Sequence, residues 1–193
     1  MTSPRDTRRA WAIWQAGRRP DPQHPYLANH RIAPMQLRQS RQGALILPLC
    51  VRGAFQGVRL IPWDITKPSV TVGGAPIGCS VPTSRYQQGQ ALAVTVDWPS
   101  AVALHHMGMT AWACLSLDNL GTVAFQARSL IGSNGRLVVA GDNTEEGGRR
   151  ADLVAISRGA ELMIPGRPIG APKWVETFGD LARWKAGVRR ATA

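Results

Sequence analysis

The chain has 193 residues, of which 44% are hydrophobic, and its formal net charge is +11 at pH 7. This composition allows a packed hydrophobic core and argues against intrinsic disorder. No stretch approaches the roughly 18 consecutive apolar residues of a transmembrane helix, and no apolar segment follows the N-terminal arginines as in a secretory signal, so we expect a soluble protein of the reducing cytoplasm without a membrane partner.

The positive charge is concentrated in the first half of the chain. Residues 1–90 hold 12 basic and 3 acidic side chains, whereas residues 91–193 hold 11 and 9. Arginine supplies 20 of the 23 basic residues, and its guanidinium group suits bidentate contacts with phosphate. The imbalance predicts that residues 1–90 form a basic subdomain that binds single-stranded DNA or RNA. A generally basic proteome is the competing explanation.

The first half predicts a small α+β subdomain. Apolar runs rich in β-branched residues are separated by short turns, and glycine, proline and serine dominate from residue 64 to 89. Pro48 and Pro62 favour edge or bulge positions in their strands. The predicted elements are a helix over residues 9–17, a helical turn over 26–32, and strands over 44–51, 56–63 and 69–72.

The second half, residues 91–193, alternates strands with helices. Such alternation implies right-handed crossovers and a parallel sheet. We therefore predict an α/β domain in which a mainly parallel four-stranded sheet is flanked by helices. Its predicted strands cover residues 91–97, 109–115, 136–140 and 160–164, and its predicted helices cover 99–107, 118–130, 148–158 and 177–185.

Two of these strands end in a carboxylate. Asp97 follows the first strand of the domain and Asp142 follows the third. Ligands of open α/β sheets bind at the carboxyl ends of strands, so the two side chains are expected within about 10 Å of each other if the strands are neighbours. A divalent metal and a phosphate would suit that position. The structural alternatives are a helix N-cap for Asp97 and a turn residue for Asp142.

Several short motifs occur in an order that resembles a known family. The motifs are HPYL at 24–27, LILPL at 45–49, Lys67 after a turn, the strand and helix around Asp97, SLDNL at 116–120, VVAGDN at 138–143 and TFGDL at 177–181. Together they resemble the Toprim domain, and more narrowly the small Toprim-containing primases of phages and plasmids. The resemblance implies a Mg²⁺- or Mn²⁺-dependent nucleotidyltransferase from a mobile genetic element that acts in DNA replication.

The resemblance also implies roles for individual residues. Asp97 stands where the family has its catalytic carboxylate, and Asp142 where it has a metal-binding one. Lys67 stands at a phosphate contact, which Arg52, Arg59 and Arg85 would extend as a nucleic-acid-binding patch.

The chain departs from the family at its carboxylates. The family's Glu-Gly at the end of the first Toprim strand is here Asp97-Trp98, and its Asp-x-Asp is here Asp142-Asn143-Thr144. Glu145 follows at once and is the candidate replacement metal ligand. The family's Asp-Phe-Asn-Asp is here Thr177-Phe178-Gly179-Asp180.

Two functions from different classes remain open. One is primer synthesis with Mg²⁺, and the other is a catalytically degenerate Toprim module that binds nucleic acid or a protein partner as a replication or recombination accessory. A nuclease is a third possibility. The sequence has neither a GxxxxGK[ST] loop nor zinc-finger spacing, so a priming enzyme would need a partner such as a helicase or template-recognition protein.

Overall fold

The computed structural model describes residues 4–74 and 77–191. It contains two β-sheets, one from each half of the chain, with helices packed around them. None of the described helices is long and apolar enough to cross a membrane.

The first sheet is antiparallel and has four strands in sequence order. A two-residue turn at Arg52-Gly53, with positive φ angles of 49° and 82°, joins its second and third strands and matches the turn geometry of tight hairpins. The first helix covers this sheet, with Ala10 buried against Ile46 and Val58. The elements are α1 (Pro4–Ala16), α2 (Pro25–His30), β1 (Arg38–Gln39), β2 (Leu45–Val51), β3 (Ala54–Ile61) and β4 (Val70–Gly73).

Pro48 lies inside β2, which is an inner strand of this sheet, and not at an edge as the sequence predicts. The sheet tolerates proline there because β1 pairs only with Leu45 and Ile46, so Pro48 needs hydrogen bonds on one side only. The pairing with β3 becomes irregular one residue later, between Leu49 and Cys50. The predicted bulge is therefore present, and at Pro48 itself β2 is paired on one side only, as an edge strand is.

The second sheet has five strands in the order β5-β7-β6-β8-β9. The four strands after residue 90 are mutually parallel, as predicted. The prediction of four strands is wrong by one, because Val81–Pro82 from the first half adds antiparallel to the edge. The elements are β5 (Val81–Pro82), β6 (Leu92–Thr95), α3 (Trp98–His106), β7 (Thr110–Ala113), α4 (Leu120–Ile131), β8 (Leu137–Ala140), α5 (Glu145–Arg158), β9 (Glu161–Met163) and α6 (Phe178–Ala191).

Both faces of the parallel sheet are buried, which explains its nearly continuous apolar strands. On one face Leu92 and Val94 pack with residues of α4 and α5. On the other, Ala93 packs in a core that includes Trp98 of α3 and Leu47 of the first sheet. This second core joins the two halves of the chain, so the first sheet lies against the side of the parallel sheet that carries α3.

Candidate functional site

The two predicted carboxylates lie at the same end of neighbouring strands. β6 and β8 pair in parallel with Thr95 opposite Ala140, and Asp97 and Asp142 each follow two residues later. The negative charge of Asp142 makes a small contribution to the raised pKa of Asp97. The tertiary structure therefore brings both residues to the carboxyl end of the central strands.

Asp97 is the N-cap of α3, as its structural alternative predicts. Its Oδ1 accepts a hydrogen bond from the Ser100 backbone N–H at 2.7 Å, and its Oδ2 accepts one from the Ser100 hydroxyl at 2.7 Å. Burial raises the pKa of Asp97, the two Ser100 hydrogen bonds lower it, and the charges of Asp180 and Asp142 raise it further, with a net increase. Asp97 therefore both caps α3 and lies at the carboxyl end of the central strands.

Asp180 is a third carboxylate near Asp97, and it is not among the site residues predicted from the sequence. It forms a capping arrangement at the start of α6: the Thr177 N–H and hydroxyl donate to Asp180 Oδ2 at 3.2 and 3.0 Å, and the Asp180 N–H donates to Thr177 Oγ1 at 3.0 Å. The TFGDL motif was the sequence feature that pointed to it.

The start of α6 packs closely against the start of α3 at Gly179. The Gly179 N–H donates to the Ser100 hydroxyl at 3.1 Å, and a Cβ added at residue 179 would lie 2.6 Å from Pro99 Cβ. A larger residue would push the two helices apart. Gly179 and Ser100 therefore set the approach of Asp180 to Asp97.

Asp142 lies beside the N-terminus of α5. Its Oδ1 is buried and, among residues 4–74 and 77–191, has no hydrogen-bond partner. A Cβ at Gly147 would collide with this carboxylate, so the glycine makes room for it. An unpaired buried carboxylate oxygen is costly unless a ligand satisfies it.

Thr144 and Glu145 serve the helix that follows. The Thr144 hydroxyl caps α5 by accepting the Gly147 N–H at 3.1 Å, and the helix starts at Glu145, three residues earlier than predicted. Glu145 is exposed in the first turn. Within the described part of the chain no three His, Cys, Asp or Glu side chains are gathered closely enough to hold a metal ion, so Glu145 does not complete such a cluster with Asp97 and Asp142.

A cleft of about 330 Å³ joins the two sheets at Asp97. Arg59 of β3 lines it together with Lys67 and Ser69 of the loop between β3 and β4, and the Arg59 Nε–H donates to the Ser69 hydroxyl at 2.8 Å. Lys67 is exposed, with its Nζ 3.8 Å from an Asp64 carboxylate oxygen. Two of the four predicted nucleic-acid-binding residues therefore lie in one cleft with the predicted catalytic residue.

Tyr26 and Trp98 form apolar walls of the same cleft. Burial raises the pKa of the Tyr26 hydroxyl, and the charge of Asp97 adds to this effect. Trp98 is only 1% exposed and packs in the core. Its indole forms part of the wall.

Arg52 and Arg85 lie outside this cleft. Arg52 is at the tip of the β2–β3 hairpin. It lies five residues beyond the β2 residue that pairs with Arg59, so the two arginines are roughly 16 Å apart along the strand direction. Arg85 follows β5, which runs antiparallel to β7, and so lies toward the amino end of the parallel strands. Arg59 and Lys67 therefore share one cleft, while Arg52 and Arg85 lie on other surfaces.

Comparisons with known proteins support the fold. No protein-family model matches the sequence, and no match is found among curated proteins. The chain is similar to a gp4 primase domain in a solved structure, that of the bacteriophage T7 lagging-strand DNA polymerase interacting with primase domains of two gp4 subunits bound to an RNA/DNA hybrid and dTTP. The TM-score is 0.56 at 9% sequence identity, and the match covers 81% of this chain and 79% of that chain. The chain therefore has a primase-like fold.

Proposed function

We propose that this protein is a primase-like Toprim protein of a phage or plasmid type, which binds single-stranded nucleic acid and synthesises primers with Mg²⁺. The observation that supports the proposal best is the cleft itself, in which Asp97 of the parallel sheet faces the same space as Lys67 and Arg59 of the basic subdomain. Carboxylates opposite cations are the groups that a metal-bound phosphate requires.

Asp97 and Asp142 are the residues that would hold Mg²⁺, and the unpaired Oδ1 of Asp142 fits a metal ligand. Mg²⁺ is often bound by one or two carboxylates with phosphate and water oxygens, so a site without a third protein ligand is compatible with it. The ion would neutralise charge on the phosphates of a nucleotide. Lys67 and Arg59 would bind the same phosphates from the other side of the cleft.

Asp97 has a second property that suits catalysis. Its carboxylate lines the same cleft as Lys67 and Arg59, so a proton acceptor stands where the phosphates of a nucleotide would bind. In primer synthesis this group would accept the proton of an attacking sugar hydroxyl.

Specific observations also favour a second function, that of a catalytically degenerate module that binds nucleic acid or a replication partner such as a helicase. Both oxygens of Asp97 accept hydrogen bonds from Ser100, and Thr144 caps a helix where the family has a carboxylate. The presence of these side chains is therefore explained by helix capping, which does not require a metal.

A primer-synthesis assay separates the two functions. The protein is incubated with single-stranded DNA, nucleotides, and Mg²⁺ or Mn²⁺, alone and with candidate replication partners. We expect short labelled products from the wild type, and a decrease of about 100-fold or more in Asp142→Asn because the metal loses a charged ligand. Shortening of the template would instead identify a nuclease.

A revertant serves as the positive control. The double variant Asp97→Glu with Thr144→Asp restores the family's carboxylates, and aspartate at residue 144 also preserves the cap of α5. We expect tighter nucleotide-dependent Mn²⁺ binding by calorimetry and more product. Metal binding by the revertant but none by the wild type, with single-strand binding intact in both, would reject the enzyme and leave the accessory protein.

A further inference from the structure

A second cavity, of about 500 Å³, lies between α2, α6 and the segment that precedes α6. Its lining shares no described residue with the catalytic cleft and includes two tryptophans, Trp174 and Trp184, and two arginines, Arg31 and Arg183. Among the described residues no acidic side chain lines it. Its volume is within the range of ligand-binding pockets, and its charge favours an anionic ligand.

Trp174 is held in place but remains accessible. The guanidinium carbon of Arg183 lies 4.3 Å from the centroid of the Trp174 ring. Arg183 is itself fixed by the Asn29 carbonyl at 3.4 Å and by an ion pair with Asp180 at 3.4 Å. The tryptophan is nevertheless 45% exposed, so a rigid aromatic surface faces solvent at the cavity. Such surfaces bind nucleobases by stacking.

Arg31 supplies a second cation at the same cavity. It ends α2 in a left-handed conformation with φ of 53° and is exposed. Its guanidinium group lies against α6 at Gly187, where an added Cβ would come within 2.7 Å of Arg31 Nη1. Glycine at residue 187 therefore leaves space for the arginine beside the helix.

Asp180 lies between the groups of the two sites, although it lines neither cavity. This residue forms an ion pair with Arg183 at the cavity and acts electrostatically on Asp97 at the cleft. Arg183 follows Asp180 by three residues on α6, so the cation beside Trp174 lies within about one helical turn of the carboxylate that acts on Asp97.

We propose that the cavity at Trp174 binds one base and an adjacent phosphate of single-stranded nucleic acid outside the catalytic cleft. The base stacks on Trp174, and the phosphate binds Arg31. The inference rests on the proposed nucleic-acid binding but assigns part of it to the C-terminal half, outside the basic subdomain. It gives the protein a second anchor on the strand.

Fluorescence anisotropy with a labelled oligothymidylate of about 15 nucleotides tests the stacking contact. Trp174→Ala should weaken binding roughly 5- to 100-fold, and Trp174→Phe should retain most of the affinity. Phe125→Ala is the matched control, because Phe125 is 49% exposed and carries Arg158 at 5.1 Å from its ring. The control should bind like the wild type.

The phosphate contact is tested by the salt dependence of the same binding. Arg31→Gln should reduce the slope of log K against log salt by about 0.7, whereas Arg149→Gln, an exposed arginine of α5, should leave it unchanged. Photocrosslinking with an iododeoxyuridine oligonucleotide, followed by peptide mapping, should identify Trp174 directly in the wild-type protein.

The inference is overturned if the Trp174 and Arg31 variants bind like their controls and crosslinks map only to the basic subdomain. In that outcome Lys67→Ala with Arg59→Ala would still weaken binding, and the proposed function would stand. Failure of the wild type to bind the oligonucleotide at all would overturn both. Circular dichroism of each variant verifies folding, and Arg31→Gln replaces an exposed side chain, so it keeps the test decisive if Trp174→Ala unfolds.

Discussion

At the scale of single residues, Asp97 combines a structural role with an electrostatic cost. It caps α3, yet burial and the charges of Asp180 and Asp142 raise its pKa above the reference value of 3.8. The folded protein therefore binds a proton at Asp97 more tightly than the unfolded chain does. The stability contributed by this residue is fully present below the unfolded pKa and is lost as pH rises through the folded pKa.

Asp97→Asn should remove this pH dependence. Asparagine is also a good N-cap, so the helix end should be retained while the repulsion between carboxylates disappears. We expect thermal melts to show that the variant gains stability relative to the wild type as pH rises from about 4 to 8. Asp152→Asn, an exposed aspartate of α5, is the control. A stability difference that is equal at both ends of this pH range would contradict the prediction.

At the scale of elements, the site depends on how closely α6 approaches α3. Gly179 permits this approach, since a Cβ there would lie 2.6 Å from Pro99 Cβ. Alanine is favoured over glycine by about 1 kcal/mol in a helix interior and by less in the first turn, where Gly179 lies, so propensity and packing still make opposite predictions at this position. We expect the packing effect to outweigh helix propensity. The atoms that the added Cβ would meet belong to the start of α3 and cannot move aside as the end of a flexible side chain can.

Gly179→Ala should therefore lower the free energy of unfolding by about 1–3 kcal/mol in urea denaturation. Gly148→Ala is a matched control in the first turns of α5, where the added Cβ would meet its nearest atom at an ordinary 3.5 Å. That variant should be neutral or slightly stabilised. Equal stability of the two variants would show that α6 can shift at no cost.

At the scale of the whole molecule, two basic residues of the positively charged first half line a cleft between the two sheets. Lys67 and Arg59 project from the basic subdomain into the space beside Asp97, while Arg52 and Arg85 lie on other surfaces. Net charge alone predicts a polyanion partner but does not say where it binds. The fold reduces the predicted patch of four residues to two that share the cleft beside Asp97.

Single-strand binding should depend on salt in a way that reflects this arrangement. Lys67→Ala with Arg59→Ala should reduce the slope of log K against log salt by about 1.4, since each lost phosphate contact accounts for about 0.7. Arg52→Ala with Arg85→Ala removes the same charge away from the cleft and should change the slope less. Equal effects of the two pairs, measured by anisotropy, would place the strand across the whole basic subdomain instead.

The sequence by itself determined the order of the elements in the second half of this protein. Alternating strands and helices produced strong periodic patterns, and Asp97 and Asp142 were recognisable because each follows an apolar run. The alternation of strands with helices and the N-cap at Asp97 are local features of the sequence, which is why they could be predicted, whereas the cap of α5 at Thr144 was missed because that helix was expected to start three residues later. The motif resemblance to primases pointed to the fold that the structural comparison supports.

Only the tertiary structure decided which residues share a site. The addition of Val81–Pro82 to the second sheet, the approach of Asp180 to Asp97 and the separation of Arg85 from Lys67 all depend on contacts between distant segments. Local periodicity carries no information about strand order or about the packing of one helix end on another. Those features arise because buried surfaces must fit together, and this requirement placed Lys67 and Arg59 beside Asp97 in one cleft.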